Sequence, residues 1–378
     1  MAIASYSCFA IVAPGLEPIV ARELTALGER PSIDDGGVSW EGDARSLMQA
    51  NLWLRTATRI LVRVAQFKTT AFYELERRAK RIPWDRFVAH GRGAEFRVTA
   101  RKSKLYHSDA IAQRLVDAAG LEFGAHKTHP TDHPPATQLF IVRVLKDQFT
   151  ISADTSGELL HKRGYRQDVG KAPLRETLAA ALLLASEWTG AAPLLDPFCG
   201  SGTIPIEAAL IARRLAPGLH RRFAYMEWPE FDARTWNALL GEAKTFALAG
   251  SPVPLLGSDR DAGAIESAHA NAERAGVAGD VELGVRAVSA LEAPDTPGLV
   301  ATNPPYGVRL SSESDVRDLY ARFGQVLRER CAGWRVAIYA SEPRLAKQIE
   351  LPFTEILRTS HGGIRVAGLV ADVPSSSM

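Results

Sequence analysis

The sequence predicts an α/β protein built in two parts, a basic α+β half followed by a doubly wound parallel sheet. Up to about residue 160, short alternating strands mix with helices. Beyond Tyr165, apolar runs of four to six residues alternate with helices of ten or more, the pattern of strands buried on both faces. Two of those runs also stop in a particular way. Leu194–Leu195–Asp196 leads into a glycine turn, and Leu299–Val300–Ala301–Thr302 into Asn303–Pro304–Pro305–Tyr306. A central strand should not end in two prolines unless the backbone must stop pairing there and present something.

At 378 residues the chain holds material for two or three domains. Its 46% hydrophobic and 23% charged content are those of an ordinary soluble globular protein. No apolar run reaches the roughly 18 residues of a membrane span. Pro14 and Gly15 interrupt an N-terminus that has no positively charged stretch. Cys8, Cys199 and Cys331 are odd in number and far apart, so neither a disulfide framework nor a zinc site is implied. A cytoplasmic monomer is expected. The net charge of +2 hides an asymmetry: residues 1–166 hold 24 Lys/Arg against 18 Asp/Glu, and the excess lies between Arg55 and Lys104. Such a patch favours a phosphate-rich partner, with a solvated basic helix face as the plain alternative.

The elements follow in order. Ser7–Val12 is a short apolar strand, Pro14-Gly15 a turn, and Leu16–Leu27 has helical spacing with Gly28 as its stop. Pro18 is tolerable because it falls in the first turn. Gly36-Gly37 leads into the strand Val38–Trp40, Ala44–Trp53 reads as a helix, and Arg59–Ala65 alternates as a strand. This β-α-β-α-β order gives a small α+β unit with helices on one face. Thr69–Arg81 is predicted as a helix carrying the basic cluster, and Glu95–Ala100 as a strand running into Arg101–Lys102–Ser103–Lys104. Ser108 is expected to cap a helix over Asp109–Ala119. Leu139–Leu145 and Phe149–Ala153 form a hairpin around Lys146-Asp147. Before it, His126, His129, Asp132 and His133 lie in a Pro-rich stretch whose spacing matches no common metal site, so a plain loop is expected. Pro374–Met378 reads as a polar tail.

In the second half, Gly200 and Gly202 let the backbone approach a ligand at a strand-to-helix turn, ahead of the helix Ile204–Arg214. N–H groups at the start of that helix suit an anionic or polar group. The Lys-Ser/Thr end of a phosphate-binding loop is absent. Leu255–Asp259 is a second strand, followed by the helix Ala264–Ala275. A carboxylate there accepts ribose hydroxyls in doubly wound folds, or simply caps the next helix. Asp196 and Asp259 stand much further apart than the roughly 20 residues of a dinucleotide fold, because a helix-rich segment, Arg213–Gly250, intervenes. S-adenosylmethionine, a nucleoside with one positive centre, fits better than NAD.

Asp196–Pro197–Phe198–Cys199–Gly200–Ser201–Gly202–Thr203–Ile204–Pro205–Ile206–Glu207 resembles the first motif of class I methyltransferases. More specifically, it is similar to bacterial THUMP-domain guanine-N2 RNA methyltransferases of the large-subunit rRNA type. Lys162–Arg166 with Ala172–Thr177, Phe223–Asp232 and Asn303–Leu310 carry the same resemblance, as do Pro14–Glu17, Gly36–Val38 and Asn51–Ala57. It implies a ferredoxin-like unit over 1–66, a THUMP RNA-binding domain over 67–160 and a Rossmann-like methyltransferase domain over 161–378. It assigns S-adenosylmethionine to Asp196, Phe198, Gly200, Ser201, Gly202, Thr203, Asp259, Arg260, Ala287 and Val288, while the basic clusters read from charge put RNA on Arg77, Arg78, Lys80, Arg81, Arg101, Lys102 and Lys104. Two positions depart from the family. Ala287 stands where a carboxylate often meets the adenine amino group, and His361–Gly362–Gly363 replaces a usual Asn-Gly turn.

The reaction so implied is methylation of guanine N2 in RNA, most directly 23S rRNA. Asn303 and Pro304 would accept the N2 hydrogens and Tyr306 would stack on the base. Asn-Pro-Pro-Tyr also occurs in adenine-N6 DNA and glutamine-N5 protein methyltransferases, and a plain strand-ending turn is the bland alternative for it alone. The basic N-terminal half favours RNA over both. A tRNA guanine-N2 enzyme is the nearest rival. An RNA-binding assembly protein with a relict methyltransferase domain is a rival of a different class.

Overall fold

The computed structural model describes residues 5–120, 122–123, 137–167, 174–305 and 313–375. The stretch holding His126, His129, Asp132 and His133 lies outside them. No helix among the described residues is long and apolar enough to cross a membrane.

The chain opens with β1 (Tyr6–Val12), α1 (Glu17–Ala26), β2 (Ser32–Asp34), β3 (Gly37–Gly42), α2 (Ala44–Trp53) and β4 (Ala57–Lys68). Pro18 sits in the first turn of α1, and Gly28 at φ +90° follows its end. Asp43 caps α2 by accepting the Ser46 N–H at 2.8 Å. β2 is absent from the predicted order. Its three residues hold one apolar side chain, Ile33, which is exposed, so no periodicity marks it. With β2 the order becomes β-α-β-β-α-β, the ferredoxin-like plan.

Next come α3 (Phe72–Ala79), β5 (Gly93–Arg101), α4 (Ser108–Ala119), β6 (Glu122–Phe123), β7 (Gln138–Leu145) and β8 (Gln148–Asp154). Ser108 does not cap α4. It is the first helical residue, and the cap position is His107, which makes no side-chain capping bond. These strands continue the first sheet, in the order β2-β3-β1-β4-β8-β7-β5-β6. β4 pairs antiparallel with β1 through Val62 opposite Cys8 and with β8 through Val62 opposite Ala153. A division at 66/67 therefore falls inside β4, and one core runs beneath the strands on both sides of it.

The second half comprises α5 (Glu176–Ala185), β9 (Leu194–Asp196), α6 (Thr203–Ala212), α7 (Ala233–Phe246), β10 (Leu255–Asp259), α8 (Ala262–Arg274), β11 (Glu282–Val285), β12 (Leu299–Thr302), α9 (Glu313–Arg330), β13 (Arg335–Ala340), α10 (Pro343–Lys347), β14 (Thr354–His361) and β15 (Ile364–Asp372). Its seven strands lie in the order β11-β10-β9-β12-β13-β15-β14. The first five are parallel, while β15 runs antiparallel to both β13 and β14. One face buries α5, α6 and α8, the other α9 and α10. The chain crosses from one side of the sheet to the other between β9 and β12. Crevices for ligands open at the carboxyl ends of strands at such a reversal.

The halves are interlocked. Between α6 and β10 the chain leaves the second sheet and packs into the first core, burying Phe223, Tyr225, Trp228 and Trp236 there. The Trp228 indole N–H donates to Gln138 Oε1 at 2.8 Å, and its ring meets Phe87 edge-on at 5.0 Å. Around this contact Arg86 pairs with Glu230 at 3.0 Å and Arg92 with Glu227 at 2.8 Å. Truncating a buried tryptophan of this kind to alanine costs about 3–5 kcal/mol. On the opposite side Gly15, at φ +86°, turns against β14, where a Cβ would meet the Arg358 carbonyl oxygen at 1.9 Å.

Candidate active site

The turn after β9 is built by its own backbone. Asp196, which ends β9, is buried, and its Oδ1 accepts the Phe198 N–H at 3.1 Å and the Thr302 hydroxyl at 2.6 Å. Burial pushes the Asp196 carboxyl up to about 7, against the Thr302 and Phe198 hydrogen bonds that lower it, with Asp259 raising it further. Gly202 stands at φ +82° at the cap of α6, and a Cβ on it would come within 3.0 Å of Ala268 Cβ on α8. Only glycine meets both demands. Gly200, also left-handed at φ +52°, Ser201 and the buried Thr203 complete the turn. The first N–H groups of α6 open beside it, without intrahelical partners. Phe198 is half-buried, edge-on to Phe323 at 5.3 Å.

Asp259 ends β10. Its two carboxylate oxygens accept the Gly200 N–H and the Asp261 N–H, each at 3.0 Å. The alternative reading as a helix cap is settled by Asp261, whose Oδ1 takes the Gly263 and Ala264 N–H groups at the start of α8. Each Asp259 oxygen keeps a second lone pair for a hydroxyl donor. Arg260 is exposed beside it. The Arg286 N–H donates to the Asp259 carbonyl at 2.9 Å, which brings the end of β11 alongside. Ala287 is exposed, Val288 is buried, and a single 3₁₀ turn over Val288–Ala290 stands where a crossover helix would be expected. That leaves an open groove of about 340 Å³, open solvent included, bordered by Asp196, Pro197, Ser258, Gly284, Arg286 and Leu291.

Next to Asp196, β12 ends at Thr302. Asn303 follows half-buried and Pro304 buried. The Asn303 Oδ1 atom is buried and has no hydrogen-bond partner among the described residues. A buried acceptor left so costs roughly 1–3 kcal/mol. Tyr306 lies outside the described residues. Thr302 was not predicted as a site residue. A hydroxyl as the last residue of an otherwise apolar strand was its only signal.

These groups converge. The Gly200 N–H joins the turn to the Asp259 carboxylate, and Asn303 follows Thr302, whose hydroxyl bonds the Asp196 carboxyl at 2.6 Å. The residues thus fit a nucleoside with a polar tail, beside a second molecule that donates hydrogen bonds to Asn303. Among the described residues no cluster of His, Cys, Asp or Glu could hold a metal.

The basic residues fall into two groups. On α3, Arg77 and Arg78 both reach Glu74, at 3.6 and 2.9 Å, while Lys80 and Arg81 are exposed beyond its end. Arg101, Lys102 and Lys104 are exposed at one tip of the first sheet. There Asp147 accepts the Lys104 N–H at 2.7 Å through its carboxylate and the Thr69 N–H at 3.0 Å through its carbonyl. The same tie brings in exposed Lys68 and Lys146, which sequence reasoning missed because they lie in different elements. Tyr106, 63% exposed, follows the tip.

With the geometry in place, comparison identifies the relatives. Residues 163–364 match the model of the RMKL-like methyltransferase domain, and residues 7–61 that of the RlmL ferredoxin-like domain. "Putative RNA methyltransferase YpsC" of Bacillus subtilis is 38% identical over 89% of this chain and 88% of its own length. "Ribosomal RNA large subunit methyltransferase K/L" of Syntrophotalea carbinolica is 36% identical over 97% of this chain, which spans only 53% of that protein. Among solved structures, a "predicted N6-adenine-specific DNA methylase" from Listeria monocytogenes superposes with a TM-score of 0.86 at 34% identity, covering 97% of this chain and 96% of that one. SMU.472, "a putative methyltransferase complexed with SAH", gives 0.85 at 29% identity with both chains covered over 100%. By its two domain matches and its full-length relatives, the chain belongs to the RMKL-like methyltransferase family, with the class I Rossmann-like fold behind an RlmL ferredoxin-like domain.

Proposed function

We propose that this protein transfers the methyl group of S-adenosylmethionine to N2 of a guanine in RNA, large-subunit ribosomal RNA in particular. The observation that carries the reading is the Asn303 Oδ1 atom, a buried acceptor with no partner among the described residues, next to the turn that suits the cofactor. The SAH complex of SMU.472 supports the choice of cofactor. The names of the relatives from Bacillus and Syntrophotalea support RNA.

S-adenosylmethionine, when bound, supplies a methyl group already activated by its sulfonium. The work left to this chain is alignment. Gly200, Ser201, Gly202 and Thr203, with Asp196 and Phe198, hold the amino-acid end of the cofactor. Asp259 takes the ribose hydroxyls, beside Arg260. Ala287 and Val288 border the adenine with backbone groups, since no carboxylate stands at 287. Asn303 Oδ1 and the Pro304 carbonyl accept the two N2 hydrogens and offset positive charge developing on nitrogen. Tyr306 stacks on the base, which must be flipped out if it lies in a helix. Residues 67–160 act as a THUMP RNA-binding domain, with the tip at Arg101, Lys102 and Lys104 and the exposed Lys80 and Arg81 on phosphates.

The Listeria relative's name raises a second reading, adenine N6 in DNA, because an aromatic amino group is common to both. Mass spectrometry of nucleosides from a strain lacking the protein separates them. Loss of N2-methylguanosine from 23S rRNA is expected. Loss confined to tRNA would move the substrate, and loss of N6-methyladenine from DNA would overturn the reading.

A further inference from the structure

The run Lys162–Arg163–Gly164–Tyr165–Arg166 links the two halves, and the reaction as described gives it no task. Its contacts supply one. Tyr165 is buried, and its hydroxyl donates to Glu207 Oε1 on α6 at 3.1 Å. Burial and the Glu207 charge hold that hydroxyl well above its ordinary range, so it stays a donor. Its carbonyl accepts Nε of Arg274, on α8, at 2.7 Å. Tyr165 therefore grips both helices that flank the glycine turn.

From Arg274 the chain of bonds runs into the turn itself. Arg274 Nη2 donates to Asn271 Oδ1 at 2.6 Å, and Asn271 Nδ2 donates to the Ser201 carbonyl at 3.0 Å. A guanidinium can only donate, so Arg274 fixes which way the Asn271 amide points. The side chain is fully buried, so no water competes for it. Its bond holds the Ser201 carbonyl toward α8, while the N–H of the same peptide, that of Gly202, donates to the Cys199 carbonyl at 2.9 Å, so the turn is fixed from both sides. Arg163 completes the tie. Its Nε stands 3.4 Å from Glu207 Oε1, and its other nitrogens donate to the carbonyls of Leu160 and Arg55 in the first half. A buried ion pair such as Arg163–Glu207 adds little net stability, but it specifies position.

We propose that Tyr165, Arg274 and Asn271 are positioning residues for cofactor binding, fixing the glycine turn to the segment that joins the two halves. This rests on the reading of residues 197–203 as the cofactor turn, so the experiment begins with calorimetric binding of S-adenosylmethionine to the full wild-type chain. No binding there would defeat that reading, and this proposal with it. Given binding, Asn271→Ala raises the cofactor Kd by about 10-fold and Tyr165→Phe by about 3-fold, the range for a buried hydrogen bond. Methyl transfer at saturating cofactor stays within about 2-fold of wild type. Asn271→Asp, which keeps the acceptor for Arg274 but faces Ser201 with an oxygen, is as weak as Asn271→Ala. Val326→Ala, a core truncation on α9, serves as the control for lost stability. It lowers Tm without changing Kd. An unchanged Kd in both Asn271→Ala and Tyr165→Phe, or an equal rise in Val326→Ala, would overturn the proposal. Should Asn271→Ala fail to fold, Tyr165→Phe against Val326→Ala decides alone.

Discussion

Gly200 donates its backbone N–H to the Asp259 carboxylate across 3.0 Å, tying the turn after β9 to the end of β10. One carboxylate thereby shapes the turn and remains able to accept from a ligand. Asp259→Ala removes both, and the cofactor Kd is expected to rise by about 10- to 100-fold, the weight of one or two bonds to a charged group. Asp259→Asn keeps one acceptor oxygen and falls between. Calorimetry reads both, and a Kd within about 2-fold of wild type in Asp259→Ala would remove Asp259 from the site.

Asn303→Ala separates function from stability. Methyl transfer in a single-turnover assay is expected to fall by about 100- to 1,000-fold, as when one preorganised group is lost from a charge-stabilising site. Cofactor affinity holds within about 3-fold. Tm does not fall, because the variant discards a buried acceptor that has no partner among the described residues. Full single-turnover activity would show that Asn303 does not touch the reacting nitrogen.

The two basic groups are not equivalent. Glu74 already neutralises part of the charge on Arg77 and Arg78. The double variant Lys102→Glu, Lys104→Glu is expected to weaken RNA binding and lower the salt slope by about 2, one unit per phosphate contact. Arg77→Glu with Arg78→Glu lowers it by less than half as much. Equal slopes for the two, from titrations between 50 and 200 mM salt (roughly the range over which such contacts show), would reject this ranking.

What the sequence made legible was local. β9, β10 and β12 are short apolar runs cut off by Gly, Pro or Asp, and their ends match prediction; α2 agrees to the residue. Asp196, Asp259 and Asn303 could be singled out for the same reason, since each stands at or just past a strand end. What joins them was not legible. The Thr302–Asp196 bond spans 106 residues and the Gly200–Asp259 bond 59, and no periodicity records a partner so far away. The expected division at 66/67 met the same limit. Arg59–Ala65 reads as a strand, but nothing in it states that the strand runs on to Lys68 and pairs on both edges. Tyr225, Trp228 and Trp236 announce burial without saying in which core.

Asp196 gives the protein a pH signature. Its carboxyl stands near 7 when folded, against an ordinary value near 3.8, because burial disfavours the charge. The folded state therefore holds a proton that the unfolded chain gives up. Stability from this group is complete below about pH 4 and declines as pH rises toward 7. Asp196→Asn keeps an acceptor for Phe198 and Thr302 but cannot ionise. The Tm difference, variant minus wild type, is expected to grow between pH 5 and pH 8, and a constant difference would contradict the raised value.

The segment between α6 and β10 has a consequence for how such proteins can be recombined. Phe223, Tyr225, Trp228 and Trp236 are encoded inside the methyltransferase half yet complete the core of the other. A chimera joined at the linker near residue 161 would graft one family member's first sheet onto another's aromatic plug, with Gln138 and Trp228 drawn from different parents. The transplantable module is discontinuous: the N-terminal residues together with roughly 215–246. Exchanges that move both pieces should yield folded hybrids, while exchanges that respect only the order of the chain should not.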